Sequence, residues 1–198
     1  MWECRGGSET RPCKSANGNR RPVMTQTKTP PRRRSLRLPD YDYTAPGFYF
    51  VTICTQGRKC LFGAIDGEDM HANELGCIVE TCWRALPDHF PRVVLDAFVL
   101  MPNHVHGVLI LDDTPVTGAR NQGLPQIVGA FKSFSSRRVN ESRHTIGRPL
   151  WQRSYFERVI KSDQVLTRIR DYILSNPLRW ALDHDNPDNW NDSLQKRL

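Results

Sequence analysis

Two histidines separated by a single residue, His104 and His106, are the first feature of this 198-residue sequence that could support chemistry. Residues two positions apart on a β-strand point to the same face, so the two imidazoles would lie side by side. Two neutral imidazoles at that spacing can bind one divalent metal ion. A His-x-His sequence also arises by chance at a surface or at the edge of a core, so the spacing alone leaves both interpretations open.

A second pair of polar residues, Tyr172 and Asn176, is spaced by four positions, which places both on one face of a helix. A tyrosine hydroxyl can attack a phosphodiester when a metal ion withdraws charge from the phosphate, and an amide oxygen suits a hard cation. A core aromatic residue and a helix cap before proline would produce the same pair. Tyr155, in the segment WQRSYFERVI, is the rival nucleophile.

The elements that would position these residues can be predicted from the pattern of apolar side chains. Loops are predicted at 57–69 and 115–122. Clusters of β-branched and aromatic residues predict strands at 47–55, 93–101, 104–111 and 150–160. Helical spacing predicts helices from 73 to 86, from about 127 towards the proline at 149, and from 162 to 175, with Ser162 as the last N-cap.

The order of these elements, β-α-β-β-α-β-α, predicts an α+β fold of the ferredoxin-like βαββαβ type. Its antiparallel sheet would carry helices on one face, and a C-terminal helix with Tyr172 would follow. The His pair would open a central strand. We expect a disordered basic tail at 1–37, one domain at 38–182 and an acidic tail at 183–198. The run RRRSLR within the first tail would be a phosphate-binding arm or a solvated segment, and Met24 is an alternative start.

The net charge of +7 is concentrated in two places. Residues 1–37 hold ten Lys/Arg and two acids, and residues 120–161 hold nine Lys/Arg and two acids. Such a patch suits a polyanion such as nucleic acid, although a solvated helix face has the same composition.

No apolar run approaches the roughly 18 residues that span a bilayer, and no signal peptide is visible, so we expect a cytoplasmic protein without membrane contacts. The six cysteines include no Cys-x-x-Cys pair.

Several motifs together resemble the small single-tyrosine HUH transposases, and among these the REP-associated tyrosine transposases. The motifs are LDAFVLMPNHVHGVLIL, IVGAFKSFSSRRVN, LWQRSYFERVI and DYILSNPLRW, and the match covers about 34–182 in the right order and spacing. The resemblance implies a ferredoxin-like fold and a divalent cation, Mg²⁺ or Mn²⁺, on His104 and His106. It implies Tyr172 as the nucleophile and Asn176 as the third ligand, where related transposases commonly have glutamine.

These observations lead to the hypothesis of a transposase-like enzyme that cleaves single-stranded DNA beside hairpin repeats and forms a 5′-phosphotyrosine. Trp151 or Phe156 would stack on unpaired bases. The residues expected to contact phosphates are Lys132, Arg137, Arg138, Arg153 and Arg158. The first alternative is a catalytically silent module that binds palindromic repeats, and a weaker one is an RNA-binding ferredoxin-like domain. The sequence leaves open whether the protein is a monomer or a homodimer.

Overall fold

A computed structural model of the protein describes residues 40–114 and 122–190, and the expected N-terminal tail at 1–37 lies outside them. Most of the predicted loop at 115–122 also lies outside. The described elements, in chain order, are β1 (Gly47–Cys54), β2 (Gly63–Asp66), β3 (Asp69–Ala72), α1 (Glu74–Arg84), α2 (Leu86–His89), β4 (Val93–Leu100), β5 (His104–Leu111), α3 (Leu124–Ser142), β6 (Phe156–Ile160) and α4 (Asp163–Leu174).

The main sheet has four strands in the order β4-β5-β1-β6, and each neighbouring pair is antiparallel. This is the ferredoxin-like arrangement that the order of elements predicts, with β5 and β1 as its central strands. Thr52 on β1 lies opposite His106 on β5, and Cys54 lies opposite His104. Directly opposed residues share a face of a sheet, so all four side chains lie on the same face.

The larger core lies on the other face of the sheet, where α1 and α3 pack. Val51 and Val105 from the two central strands are fully buried there, together with Trp83 from α1 and Phe131 from α3. Helix α1 packs so closely on strand β5 that a Cβ atom on Gly107 would overlap the Trp83 ring. Because the alternate residues of β5 fill this core, its two histidines must point away from it.

A smaller core forms on the histidine side of the sheet and holds α4 in place. Leu166, Ile169 and Ile173 of that helix pack on Phe50 and Val108. Their spacing of three and four residues gives the helix one apolar face. The Ser162 side chain accepts a hydrogen bond from the Val165 amide at 3.4 Å and so caps the helix, as predicted.

An ion pair ties α4 to the edge strand β4. The guanidinium of Arg170 donates from Nε to Asp96 Oδ1 at 2.8 Å and from Nη2 to Asp96 Oδ2 at 2.6 Å. Asp96 lies where the pairing of β4 with β5 shifts register between Leu95 and Phe98. The two parallel bonds fix the rotation of α4 about its axis as well as its position.

Three predicted boundaries are wrong. The segment expected to be a loop at 57–69 contains β2 and most of the β2–β3 hairpin. The strand expected at 150–160 begins only at Phe156, after an isolated bridge between Thr55 and Trp151. The second helix stops at Ser142 and does not run towards the proline at 149.

The early end of α3 has a local cause. His144 adopts a left-handed conformation, with φ of 51°, and its amide bonds the Glu141 carbonyl at 3.1 Å. The Thr145 amide reaches back to the Asn140 carbonyl at 2.8 Å. These two bonds form a Schellman motif, which normally carries glycine at the left-handed position. The absence of glycine there explains why the sequence does not signal this helix end.

The described part of the expected C-terminal tail, residues 183–190, packs against the domain, with Asp185 7% exposed and Asn186 6% exposed. The segment ends in a short 3₁₀ helix, Pro187–Trp190, while the remainder of the expected tail lies outside the described residues. Within the described part of the chain, none of the helices is both long and apolar enough to cross a membrane.

Candidate active site

His104 and His106 lie together at the start of β5, on the face that α4 covers. Both are buried, with 0% and 4% of their surface exposed. Their Nε2 atoms are 3.0 Å apart, and the ring planes are inclined at 73°. The two imidazoles therefore direct nitrogen atoms at one point, as the His-x-His spacing predicts.

Asn103 is hydrogen-bonded to the Nδ1 side of the His104 ring. The Asn103 amide nitrogen donates to the carbonyl of Arg58 at 3.0 Å and to that of Asp185 at 2.7 Å. These two bonds orient the amide, so its oxygen faces His104 Nδ1 at 2.7 Å and accepts from it. His104 thus carries its proton on Nδ1 and presents a lone pair at Nε2.

Thr52 is the corresponding partner of His106. Its hydroxyl lies 2.8 Å from His106 Nδ1 and can either donate or accept. When the hydroxyl donates, His106 carries its proton on Nε2 and donates it to His104. When the hydroxyl accepts, both Nε2 atoms present lone pairs to the same point, which is the arrangement of two metal ligands.

Burial also keeps both imidazoles in the form that a metal requires. It lowers the pKa of His104 to about 3, with a further contribution from neighbouring His106. It lowers the pKa of His106 to about 3 as well. Both rings are therefore neutral near pH 7, and neutral imidazole is the form of histidine that binds metals.

Tyr172 projects from α4 towards the His pair. Its hydroxyl lies 3.4 Å from His106 Nε2, and its ring packs edge-on against Phe50. The side chain is 38% exposed, so it faces solvent as well as the histidines. Burial raises the pKa of Tyr172, while a hydrogen bond from Asn176 opposes the rise. The phenol is therefore protonated near neutral pH.

Asn176 lies two residues beyond the end of α4 in a helical conformation, so it stays on the face that carries Tyr172. Only 1% of its surface is exposed, and within the described residues its amide oxygen has no hydrogen-bond partner. A buried oxygen without a partner costs about 1–3 kcal/mol. Such an atom is suited to a bound cation or water.

An open groove of about 440 Å³ runs past His106 and Tyr172. Arg58 is the one Arg or Lys among its described lining residues, and its guanidinium contacts the Asp185 carboxylate. Arg58 lies in a left-handed turn after β1, with φ of 53°. The sequence did not identify Arg58 or Asp185 as residues of the site, because neither belongs to a motif and their segments are distant in the chain. The groove is lined by Phe50, Thr52, Cys54, Arg58, His106, Gln152, Ser154, Tyr155, Phe156, Tyr172, His184 and Asp185.

Tyr155 lines the same groove, so the groove alone does not separate the two candidate nucleophiles. The contact between the Tyr172 hydroxyl and His106 favours Tyr172, because a nucleophile must lie next to the activated phosphate.

The basic residues predicted to contact DNA divide between two faces of the molecule. Arg158 on β6 lies opposite Phe50 on β1, so it shares the face of the sheet that carries His106, and its side chain is exposed. Arg153 is exposed beside groove residues Gln152 and Ser154. Phe156, 49% exposed, also lines the groove. These side chains are available to a strand lying in the groove.

The basic residues of α3 are placed differently. Arg137 and Arg138 line a separate pocket of about 250 Å³ between the helices, where Arg137 lies over the Phe134 ring. The ammonium group of Lys132 donates to the carbonyls of Gln152 and Arg153, at 2.7 and 2.8 Å. The basic run in the sequence therefore does not form one continuous patch.

Trp151 does not have the exposed ring that base stacking requires. It is 5% exposed, its indole nitrogen donates to the Ser135 hydroxyl at 2.8 Å, and its ring packs against Phe62 and Phe131. The residue belongs to the core between α3 and the sheet. Of the two aromatic residues expected to stack on bases, Phe156 has the exposed ring and Trp151 does not.

Asp183, His184 and Asp185 form a further group of three side chains whose ligand atoms lie within 4.8 Å of one another. Asp185 is already paired with Arg58, and the His184 ring lies 3.0 Å from the same carboxylate. Because its negative charge is largely compensated, this group is less suited to a cation than the His pair.

Comparison with known proteins identifies relatives of this chain. A family model described as Transposase IS200 like matches residues 88–176, which include both histidines, Tyr172 and Asn176. An uncharacterized protein of Haemophilus influenzae is 36% identical, over 76% of this chain and 91% of that protein. A second protein of the same organism, described as a REP-associated tyrosine transposase, is 26% identical over 70% of this chain and 74% of its own length.

A solved structure supports the fold. The structure of a REP-associated tyrosine transposase bound to a REP hairpin matches with a TM-score of 0.53. The match covers 80% of this chain and 85% of that chain, at 15% sequence identity. At this identity, the similarity is evidence for the fold alone.

Proposed function

We propose that this chain, which belongs to the IS200-like transposase family, cleaves and rejoins single-stranded DNA beside hairpin repeats through a 5′-phosphotyrosine. The observation that carries the proposal is the convergence of two histidine Nε2 atoms and the Tyr172 hydroxyl, with the buried, unpartnered oxygen of Asn176 on a side chain that contacts Tyr172. Family membership supports a transposase-like DNA-binding function. The chemistry, the metal and the roles of individual residues are our inference from the site.

The donor set fits a divalent cation. Two ligands at right angles around a small cation, each about 2.1 Å from it, are about 3 Å apart. The two Nε2 atoms are 3.0 Å apart. The Asn176 oxygen would be the third ligand, which would satisfy a buried acceptor that otherwise lacks a partner. Two imidazoles and one amide oxygen leave positions for phosphate oxygens and water, and the choice of Mn²⁺ or Mg²⁺ follows from the resemblance to the HUH transposases.

A bound cation would withdraw charge from the scissile phosphate and lower the effective pKa of the nearby phenol. Tyr172 Oη would attack phosphorus, forming a P–O bond as the bond to the 3′ oxygen breaks. The phenol loses its proton, and the leaving 3′ oxygen gains one. The strand downstream stays on Tyr172 through its 5′ phosphate, so the reverse attack by a 3′ hydroxyl rejoins DNA.

The groove provides the remaining contacts for a single strand. Arg58, which is paired with Asp185, lines the groove together with His106 and Tyr172, and Arg153 and Arg158 lie on the same side. Phe156 would stack on an unpaired base. That the solved relative was bound to a REP hairpin supports hairpin DNA as the partner. Arg137 and Arg138 would contact only DNA that extends beyond the groove.

A cleavage assay tests the proposal. A single-stranded oligonucleotide carrying the palindromic repeats that flank the gene, labelled at its 3′ end, is incubated with the protein and Mn²⁺ and separated by denaturing electrophoresis. We expect a labelled protein–DNA adduct that disappears with EDTA. A copy labelled at its 5′ end should yield a shortened strand with a free 3′ hydroxyl.

Two variants identify the nucleophile. Tyr172→Phe should abolish the adduct while the affinity for the hairpin, measured without cleavage, stays within about twofold. Tyr155→Phe is the matched control and should retain the adduct. The opposite result for the two variants would assign the nucleophile to Tyr155. Hairpin binding without an adduct at any metal concentration would instead support a catalytically silent binding module.

A further inference from the structure

We propose that Asn103 is a positioning residue that holds His104 in its metal-binding tautomer. This inference rests on the proposed metal site and adds a residue outside the donor set. Asn103 follows Pro102 in the tight turn between β4 and β5 and is 1% exposed. Its side chain therefore lies inside the protein beside the first histidine of the pair.

Two distant segments of the chain lock the Asn103 amide. The carbonyl of Arg58, in the turn after β1, accepts from the amide nitrogen at 3.0 Å. The carbonyl of Asp185, from the segment beyond α4, accepts from the same nitrogen at 2.7 Å. A flipped amide would place its oxygen against two carbonyl oxygens and lose both bonds. The two carbonyl groups therefore allow only one orientation of the Asn103 amide.

The locked amide has a direct consequence for His104. The oxygen of Asn103 accepts the Nδ1 proton at 2.7 Å, so Nε2 keeps its lone pair. Without that acceptor, the ring gains as much by carrying its proton on Nε2, because His106 Nε2, 3.0 Å away, can accept it whenever the Thr52 hydroxyl accepts from His106 Nδ1. A proton on Nε2 has to leave before a cation can bind. Loss of such a partner typically weakens metal binding by about 10–100-fold.

Two substitutions separate positioning from a purely structural role. Asn103→Ala removes both the acceptor for His104 and the two donations to carbonyls. Asn103→Asp keeps an acceptor for the Nδ1 proton but loses both donations, so it should destabilise the fold while preserving the tautomer. Asn73→Ala is the matched control: Asn73 caps α1 and donates to the Leu61 carbonyl, so its loss weakens neighbouring packing without touching the histidines.

The first measurement is Mn²⁺ affinity of the full chain, from titration of free Mn²⁺ by electron paramagnetic resonance. We expect Asn103→Ala to weaken binding at least tenfold, as a loss of this partner typically does. Asn103→Asp and Asn73→Ala should stay within about threefold of the unaltered protein. Equal affinity of all variants would overturn the proposal. So would equal weakening by Asn103→Ala and Asn103→Asp, because Asn103 would then act only through the fold.

The second measurement needs no metal. Nitrogen-15 NMR of the histidine side chains in the metal-free protein, assigned through His104→Gln, reports which ring nitrogen carries the proton. We expect His104 to be protonated on Nδ1 in the unaltered protein and in Asn103→Asp, and to change in Asn103→Ala. An unchanged His104 tautomer in Asn103→Ala would overturn the proposal. If the unaltered protein does not bind Mn²⁺, the proposed metal site is contradicted. The NMR measurement would still test the role of Asn103, because it uses metal-free protein.

Discussion

At the scale of single residues, the site combines side chains whose buried state is costly without a partner. His104 and His106 are buried with their Nε2 atoms 3.0 Å apart, and the Asn176 oxygen is buried without a partner among the described residues. The two imidazoles can share one proton between them, whereas the Asn176 oxygen is destabilising where it lies unless a cation or water satisfies it. Stability and metal binding should therefore respond in opposite directions to substitutions at Asn176.

Asn176→Leu provides the test at this scale. Leucine keeps the branching of the side chain and removes both the unpartnered oxygen and the hydrogen bond to Tyr172. Because an unsatisfied buried oxygen costs about 1–3 kcal/mol and a typical hydrogen bond contributes about 1 kcal/mol, the free energy of unfolding in EDTA should rise by about 1 kcal/mol. Mn²⁺ affinity should fall at least tenfold, because a ligand is lost. Urea unfolding and Mn²⁺ titration measure the two quantities.

Asn186→Leu is the matched control for this substitution. Asn186 is 6% exposed, but its amide nitrogen donates to the Trp180 carbonyl and its oxygen accepts from the Asp188 amide. Its replacement should lower stability and leave Mn²⁺ affinity unchanged. A stability loss of similar size in Asn176→Leu would contradict the idea that the Asn176 oxygen is unsatisfied without metal.

At the scale of elements, the sequence predicts the parts of the site that depend on local periodicity. Alternation along β5 and the four-residue spacing on α4 correctly indicate which side chains share a face. The turn of Arg58 lies within the loop predicted at 57–69, but the contact of Arg58 with Asp185 was missed, because these two residues meet only through the tertiary fold. The approach of α4 to β4 was missed as well, because Asp96 and Arg170 meet only through the tertiary fold.

Arg170→Ala should therefore impair cleavage without removing any group from the site. Loss of the two bonds to Asp96 leaves α4 held only by its apolar face, so Tyr172 can rotate or slide relative to His106. Because small displacements of reacting groups are costly, we expect cleavage to slow at least tenfold, with Mn²⁺ affinity within about threefold. Single-turnover cleavage measures the effect. Arg168→Ala, on an exposed position of the same helix, is the control, and an equal loss in both variants would refute a specific role for the ion pair.

At the scale of the whole molecule, the groove is assembled from segments that lie far apart in the sequence. Arg58 comes from the turn after β1, Tyr172 from α4, and Asp185 from a segment that composition predicted to be a tail. Charge counted along the chain could not predict this arrangement. The run at 120–161 reads as one basic patch, yet α3 and β6 place its arginines on different faces of the sheet.

This division of the basic residues leads to a test with DNA that has no hairpin. For a short unpaired oligonucleotide, each phosphate contact contributes about 0.7 to the slope of log affinity against log salt concentration. Arg153→Ala with Arg158→Ala should lower that slope by about 1.4, since both side chains lie beside the groove. Arg137→Ala with Arg138→Ala removes the same charge from the α3 face and should leave the slope unchanged. Fluorescence anisotropy between about 50 and 500 mM NaCl (one decade of salt, to resolve the slope) measures both. Equal slopes for the two double variants would show that an unpaired strand does not distinguish the two faces.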